Sequence, residues 1–78
     1  ANMSEATFFR HFKQATGFSP MDYLLNLRLA KAEELLRTTS LPLTDISAKC
    51  GFYDSNYFGM QFRKRYDITP HRFRRLFR

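Results

Sequence analysis

The side chains that could act chemically in this 78-residue chain are mostly cations. Lysine and arginine number 13 against 7 aspartates and glutamates, which gives a formal net charge of +6. Seven of the cations lie in the C-terminal stretch, where Asp67 is the single acid. They are Arg63, Lys64, Arg65, Arg72, Arg74, Arg75 and Arg78. This charge balance favours an anionic partner, either a nucleic acid or a membrane surface.

Residues that perform catalysis or bind metals are few and isolated. Cys50 is the single cysteine, which excludes an internal disulfide and a Cys-x-x-Cys metal site. His11 and His71 have no second ligand or carboxylate at a useful spacing. Glu33 and Glu34 are adjacent, so on a helix they point in different directions and form no acid–base pair. We therefore expect no enzyme, no cofactor and no metal.

The elements that must position the cations are predicted to be helices. Hydrophobic residues make up 44% of the chain and aromatic residues 17%, with only 3 glycines and 3 prolines. No strand-like alternation of β-branched residues appears, which favours an all-α class, and 78 residues make one small domain. Without an apolar run of membrane-spanning length or a signal-peptide pattern, we expect a soluble protein of the reducing cytoplasm, with no membrane partner.

An internal repeat at an offset of fifty residues organises the chain. Residues 8–23, FFRHFKQATGFSPMDY, match residues 58–73, FGMQFRKRYDITPHRF. The matched pairs are Phe8 and Phe58, Phe12 and Phe62, Lys13 and Arg63, Phe18 and Ile68, Ser19 and Thr69, Pro20 and Pro70, and Tyr23 and Phe73. Each unit is an aromatic-faced helix, a turn, and a Ser/Thr-Pro pair that suits the start of another helix.

Five helices follow from this pattern, at about residues 5–15, 20–37, 43–50, 55–66 and 70–77. Gly17 is expected to end the first helix. The second helix is long, roughly 27 Å, and links the two units. Its apolar stripe is expected to contain Leu24, Leu27, Leu35 and Leu36, with Ala32 between them.

Residues 43–66 have the strongest local signal. Ser47 is small enough for two helices to approach, and Gly51 can take the positive φ of a tight turn. The apolar contacts between the two helices are expected from Leu43, Ile46, Cys50, Phe52, Phe58 and Phe62. This pattern is typical of a helix-turn-helix whose second helix enters the DNA major groove, with an αα-hairpin that merely packs as the alternative.

The first unit is predicted to be incomplete. Asn2-Met3 takes the place that Gly51-Phe52 holds in the second unit, with one residue fewer before the aromatic pair. We expect a helix equivalent to residues 43–50, and one further packing helix, to precede Ala1 in a longer protein.

These fixed points together resemble the AraC/XylS (arabinose-regulator) family of transcription factors. The matching segments are MSEATFFRHFKQATGFSP at 3–20, RLAKAEELL at 28–36, Ile46-Ser47, Gly51-Phe52, Phe58, Phe62 and Thr69-Pro70. The chain departs from the family at Ser47, which is commonly Ala, and at Asn2, which is commonly Gly.

The resemblance implies an all-α DNA-binding domain over residues 1–78, made of tandem helix-turn-helix units with homeodomain-like three-helix architecture. Residues 1–17 would hold the recognition helix of the incomplete first unit, and residues 20–38 the linker helix. Residues 43–66 would form the second helix-turn-helix and residues 70–78 a C-terminal helix.

The candidate DNA-binding residues are those that face away from the phenylalanine pairs, which are expected to face inward. They are Ala6, Phe9, Arg10 and Lys13 on the first recognition helix, and Ser55, Asn56, Gly59, Met60 and Arg63 on the second. The family resemblance implies the same positions. Arg10 is expected to bind guanine O6 and N7, a solvated surface arginine being the alternative, and Asn56 suits adenine N6 and N7. Ser55 suits a base or a phosphate.

The other candidate residues have apolar or phosphate-binding roles. Phe9 and Met60 would contact thymine methyl groups, or else pack on neighbouring helices. Lys13, Arg63 and Lys64 are expected to hold phosphates rather than bases, and Tyr57 also suits a phosphate.

The predicted function is sequence-specific binding of double-stranded DNA by a bacterial transcription regulator. The two recognition helices would enter successive major grooves about 34 Å apart. A nonspecific basic helical nucleic-acid-binding module is the alternative; it explains the charge but not the repeat. A membrane-surface peptide anchored by FRRLFR at 73–78 predicts one long amphipathic helix, whereas the Ser/Thr-Pro pairs break the chain. We also expect RNA polymerase as a partner of the full-length regulator, and dimerisation through a domain outside this chain.

Overall fold

The computed structural model describes residues 4–77, and these form five α-helices and no strand. The helices are α1 (Glu5–Thr16), α2 (Pro20–Thr38), α3 (Leu43–Lys49), α4 (Ser55–Tyr66) and α5 (Pro70–Phe77). The all-α class is thereby confirmed, and each helix begins and ends within one residue of its predicted position. The predictions made for Ala1, Asn2, Met3 and Arg78 lie outside the described residues.

Side chains cap the N-termini of four helices, because the first backbone N–H groups of a helix have no partner within it. Asp54 caps α4 by accepting a hydrogen bond from the Asn56 N–H at 2.8 Å. Similar hydrogen bonds connect Ser4 Oγ with Thr7 N, Ser19 Oγ with Asp22 N, and Thr69 Oγ1 with Arg72 N. Capping at Ser19 and Thr69 agrees with the sequence pattern, and the caps fix where the helices begin.

The repeat also appears in the backbone at the ends of α1 and α4. Gly17 ends α1 in the left-handed conformation with φ 83°, and Asp67, fifty residues later, ends α4 with φ 65°. Asp67 is the one non-glycine residue with positive φ in the described part of the chain, and aspartate tolerates this conformation better than most residues do. Both units therefore turn in the same way into the helix that follows.

Gly51 is required by the turn between α3 and α4. Its φ is 90°, a value that side chains other than glycine rarely adopt. A Cβ atom at this position would also lie 3.0 Å from Nε of Arg28. Glycine at this position therefore allows both the positive φ of the turn and the close approach of the Arg28 side chain from α2.

The core lies where α2, α3, α4 and α5 meet. Its buried hydrophobic residues are Leu29, Ala32, Leu36, Ile46, Cys50, Phe52, Phe58, Phe62 and Phe73. Aromatic rings of the second unit contact one another in pairs. The ring centroids of Phe52 and Phe58 are 5.1 Å apart, and those of Phe62 and Phe73 are 5.5 Å apart. Aromatic rings supply much of the buried area in a domain of this size.

The face of α2 that enters the core differs from the predicted stripe. Leu24 and Leu27 are 38% and 53% exposed, whereas Leu29 is 1% exposed and Leu25 packs against the core. Ala32 and Leu36 are fully buried, as expected. The prediction for Leu24 and Leu27 was therefore wrong, because the partners α3, α4 and α5 select a different helical face.

The two units differ in how far their phenylalanines are buried. Phe58 and Phe62 are 1% and 0% exposed, whereas Phe8, the counterpart of Phe58, is 46% exposed. Phe12 is half-buried and meets Tyr23 of α2 edge to face at 5.4 Å. None of the α1 residues is fully buried. The expected inward orientation is thus correct for the second unit and wrong for Phe8 in the described residues.

Two groups of the second unit, the buried Cys50 and the partly buried Tyr66, have raised pKa values. Burial raises the pKa of the Cys50 thiol, and Lys31 partly offsets this rise. The thiol therefore stays neutral and acts as a small apolar group. Burial, followed by a hydrogen bond with Glu33, also raises the pKa of Tyr66.

We expect replacement of Ser47 by alanine to stabilise the chain by about 1 kcal/mol. Ser47 is 2% exposed and its hydroxyl has no hydrogen-bond partner among the described residues. Burying a hydroxyl without a partner removes its hydrogen bonds to water and replaces them with none, which costs free energy. Alanine removes this cost with little change in volume. Urea unfolding of the Ser47→Ala variant measures the effect. A loss of stability would instead show that the hydroxyl has a partner in solution.

Candidate nucleic-acid interface

The outer face of α4 presents a mixed polar and apolar surface opposite the core. Because Phe58 and Phe62 point into the core, Asn56, Met60 and Arg63 lie on the exposed side of the same helix. Met60 is 65% exposed, so the same side of the helix also presents an apolar side chain. This helix therefore offers hydrogen-bonding, apolar and cationic groups side by side.

The other α4 candidates surround this face. Ser55 and Lys64 are exposed, at the first and third turns of the helix, and Tyr57 is 47% exposed with its ring 6.1 Å from that of Phe52. Gly59 is half-buried on the flank of the helix. The structure thus brings five of the predicted α4 residues together along one groove: Ser55, Asn56, Gly59, Met60 and Arg63. Tyr57 and Lys64 line separate hollows on other sides of the helix. The contacts of all seven with DNA stay a prediction.

On α1 the predicted residues are also exposed together. Ala6, Arg10 and Lys13 are exposed, and Phe9 is 41% exposed, with its ring 5.7 Å from that of Phe8. By the offset of fifty, Arg10 corresponds to Met60 and Phe9 to Gly59. The two helices therefore present different chemistry at matching positions, which suits the recognition of two different base sequences.

Further exposed residues border the α4 face, although no local sequence pattern pointed to them. A groove beside α4 is lined by Gly59, Met60 and Arg63, and also by Thr44 at the start of α3 and His71 at the start of α5. The only sequence signal for them was the general excess of cations near the C-terminus. Their proximity depends on how α3 and α5 pack against α4.

The described residues hold no cluster of histidine, cysteine, aspartate or glutamate that would bind a metal ion. Within the same residues, no helix is both long enough and apolar enough to cross a membrane.

A short turn between α3 and α4, with an exposed mixed face on α4, defines a helix-turn-helix protein. A family model described as a helix-turn-helix domain matches residues 1–76. The chain is also 37% identical to an AraC-type regulator from Chromobacterium violaceum, with a TM-score of 0.84, over 94% of this chain and 65% of that one. The chain belongs to the AraC-type helix-turn-helix family.

Two other relatives are informative about function. The HTH-type transcriptional activator RhaS of Citrobacter koseri is 46% identical over 69 residues, which are 88% of this chain and 25% of that protein. The DNA-binding domain of AdpA, solved in complex with a target DNA, is 30% identical, with a TM-score of 0.93, over 97% of this chain and 68% of that one. The chain spans about a quarter of the length of the curated relatives it matches. Family and relatives together support sequence-specific DNA binding by a transcription regulator.

Proposed function

We propose that this chain binds double-stranded DNA sequence-specifically by placing α1 and α4 in two successive major grooves. The observation that carries the proposal is the exposed face of α4, where Asn56, Met60 and Arg63 lie opposite two fully buried phenylalanines. The linker helix α2 has 19 residues and is roughly 28 Å long. This length is compatible with grooves about 34 Å apart on one side of the duplex.

Base reading is assigned to the residues whose chemistry matches base edges. Arg10 is proposed to bind guanine O6 and N7, and Asn56 to bind adenine N6 and N7, each through two hydrogen bonds. Phe9 and Met60 are proposed to contact thymine methyl groups, since both are exposed without covering the core. Ser55 reaches a base or a phosphate.

Phosphate binding is assigned to the cations and to one phenol on the same helices. Lys13, Arg63 and Lys64 are exposed and are proposed to hold phosphates, which position the protein without reading sequence. Tyr57 is proposed to donate a hydrogen bond to a phosphate, and Ala6 and Gly59 to allow close approach of the duplex.

The role in the cell extends this proposal to the longer protein. Residues 1–17 are proposed to hold the first recognition helix, 20–38 the linker, 43–66 the second helix-turn-helix and 70–78 the closing helix. The full-length regulator would act in the cytoplasm without catalysis, contact RNA polymerase, and dimerise through a further domain. Its activator relatives support a regulatory role.

Selection from a random duplex pool tests the central proposal. We expect this chain, at moderate salt, to enrich two short motifs about 10 base pairs apart. Enrichment of one motif alone would contradict reading by both helices. Salt-sensitive binding without any motif would overturn sequence-specific reading and leave a nonspecific basic module.

Replacing Arg10 by alanine is expected to remove a preference for guanine at one position of the first motif. A bidentate arginine–guanine contact contributes about 1–3 kcal/mol of discrimination, so the native base should lose roughly tenfold or more in affinity. The matched control is Lys13→Ala, which should weaken binding to all sequences equally. Competition binding against single-base variants of the selected site measures both. An unchanged base preference in Arg10→Ala would refute the guanine assignment.

A further inference from the structure

A groove runs along the flank of α4 between the starts of α3 and α5. Its lining includes Leu43, Gly59 and Pro70, which form an apolar floor, and the exposed Thr44, Arg63 and His71. Leu43 is half-buried and Pro70 is buried, so the floor belongs to the folded core and does not depend on mobile side chains. The groove, named here the α4–α5 groove, is also lined by Asn56 and Met60, so it continues the outward face of α4 toward α5.

Cations continue along one wall of this groove. Arg63 also lines a neighbouring hollow with Thr69 and Arg72, and Arg72 in turn lines a third hollow with Arg75. Within residues 4–77 no salt bridge engages Arg63, Arg72 or Arg75, although Asp67 lies in the same hollow as two of them. The groove is thus bordered by a row of arginines whose charge is available to an anion.

Hydroxyl groups add donors to the same border. Thr69 Oγ1 accepts a hydrogen bond from the Arg72 N–H at 3.2 Å, which leaves its own hydrogen free to donate outward. Thr44 is exposed at the opposite side. Hydroxyls of this kind, with arginines, are the usual protein partners of phosphate oxygens in DNA complexes.

Gly59 is not explained by the folding of the chain. Gly59 lies in the middle of α4, three residues after Asn56. In the interior of a helix, glycine is less favourable than alanine by about 1 kcal/mol. A Cβ atom there would meet nothing within 4 Å, so neither packing nor a turn requires glycine. The corresponding position of the first unit is occupied by Phe9. A missing side chain on the groove floor is what close approach of another molecule requires.

We propose that the α4–α5 groove binds one sugar–phosphate strand at the edge of the major groove that α4 enters. A deoxyribose would lie on the apolar floor at Gly59, and the flanking phosphates would lie against Arg63, Arg72 and Arg75. A duplex strand suits this groove because its sugars are partly apolar and its successive phosphates are anions, which complement the apolar floor and the arginines beside it. This inference rests on the proposed DNA binding and extends it to α5.

Salt titration of the Arg72→Gln/Arg75→Gln double variant tests the row of arginines. Each lost phosphate contact lowers the slope of log affinity against log salt by about 0.9, so the double variant should lose about 2 in slope, equally on all sequences. Arg37→Gln is the matched control, because Arg37 lies on α2 outside these hollows and pairs with Glu33 at 3.9 Å. A double variant with the slope of the control would overturn the proposal.

Replacing Gly59 by alanine separates folding from binding. We expect the melting temperature to rise by about 4 °C, since alanine favours the helix, while affinity for the selected site falls roughly tenfold, since the added methyl keeps the strand from the floor. Unchanged or tighter binding by Gly59→Ala would overturn the close approach.

Neutral methylphosphonate linkages identify the strand. Scanned one at a time through the selected site, they should weaken native binding at the phosphates that meet the groove, and at those phosphates the double variant should lose nothing further. Additive losses of affinity at every position would overturn the assignment to the backbone.

The outcomes also separate this proposal from the proposed function. If the native chain enriches a motif and all variants bind DNA as the native chain does, the groove proposal fails and the proposed function stands. If no motif is enriched but the salt slope of the double variant still falls, sequence reading fails and the groove proposal stands.

Discussion

Replacing Phe58 by alanine is expected to destabilise the chain by about 3–5 kcal/mol, whereas the same change at Phe8 should cost about 1 kcal/mol or less. The two residues hold the same place in the two repeat units. Phe58 is 1% exposed and its ring contacts those of Phe52 and Phe62, whereas Phe8 is 46% exposed. A cavity in the core removes both buried area and contacts, but truncation of a half-exposed ring removes little of either.

Urea unfolding of both variants measures this difference, with the native chain as the reference. Since small domains are stable by only about 5–15 kcal/mol, Phe58→Ala should unfold at a far lower urea concentration, or already be partly unfolded in water. Phe58→Leu keeps most of the volume and should recover part of the loss. Equal decreases in the free energy of unfolding for the Phe8 and Phe58 variants would show that α1 is as deeply buried in solution as α4.

Local chemistry was enough to predict the helices and their ends. Ser19 and Thr69 cap helices because their side chains accept hydrogen bonds from nearby backbone N–H groups, and such contacts span only three residues. Gly51 likewise follows from the turn itself. The repeat added the comparison of α1 with α4, which is why the amino-acid sequence alone identifies the candidate positions on both helices.

The buried face of α2 could not be predicted, because the helix has two overlapping apolar stripes. Leu25, Leu29, Ala32 and Leu36 follow one another at spacings of three and four, and Leu24 and Leu27, also three apart, begin a second stripe that Leu35 continues two turns later. Periodicity alone cannot choose between them. The choice depends on contacts with α3, α4 and α5, which are distant in sequence.

The groove residues on α5 were missed for the same reason. His71, Arg72 and Arg75 belong to a basic run that, read as sequence, is also typical of a solvated surface. Only the packing of α5 beside α4 places them next to Arg63 and Gly59. That these residues lie beside one groove is a property of the tertiary structure, and the sequence pattern does not predict it.

Arg74 illustrates a long-range contact with a large expected effect. Its guanidinium group donates hydrogen bonds to the backbone carbonyls of Leu36, Thr39 and Leu41, at 3.3, 3.3 and 2.7 Å. The last carbonyls of a helix have no partner within it, and these lie at the end of α2 and in the connector that follows. One side chain of α5 therefore holds the linker helix, the connector and the second unit in one arrangement.

Replacing Arg74 by alanine is expected to destabilise the chain by about 2–3 kcal/mol, because hydrogen bonds to a charged donor are stronger than neutral ones and several part-buried carbonyls lose their partner together. Arg74→Lys keeps the charge but not the planar fork, so it should recover only part of the loss. Urea unfolding measures both variants. Since the contact also sets the orientation of the second unit relative to α2, Arg74→Lys should select DNA sites with a broader range of spacings between the two motifs, while each motif is unchanged. Full stability and native spacing in both variants would show that α5 holds the linker helix without this contact.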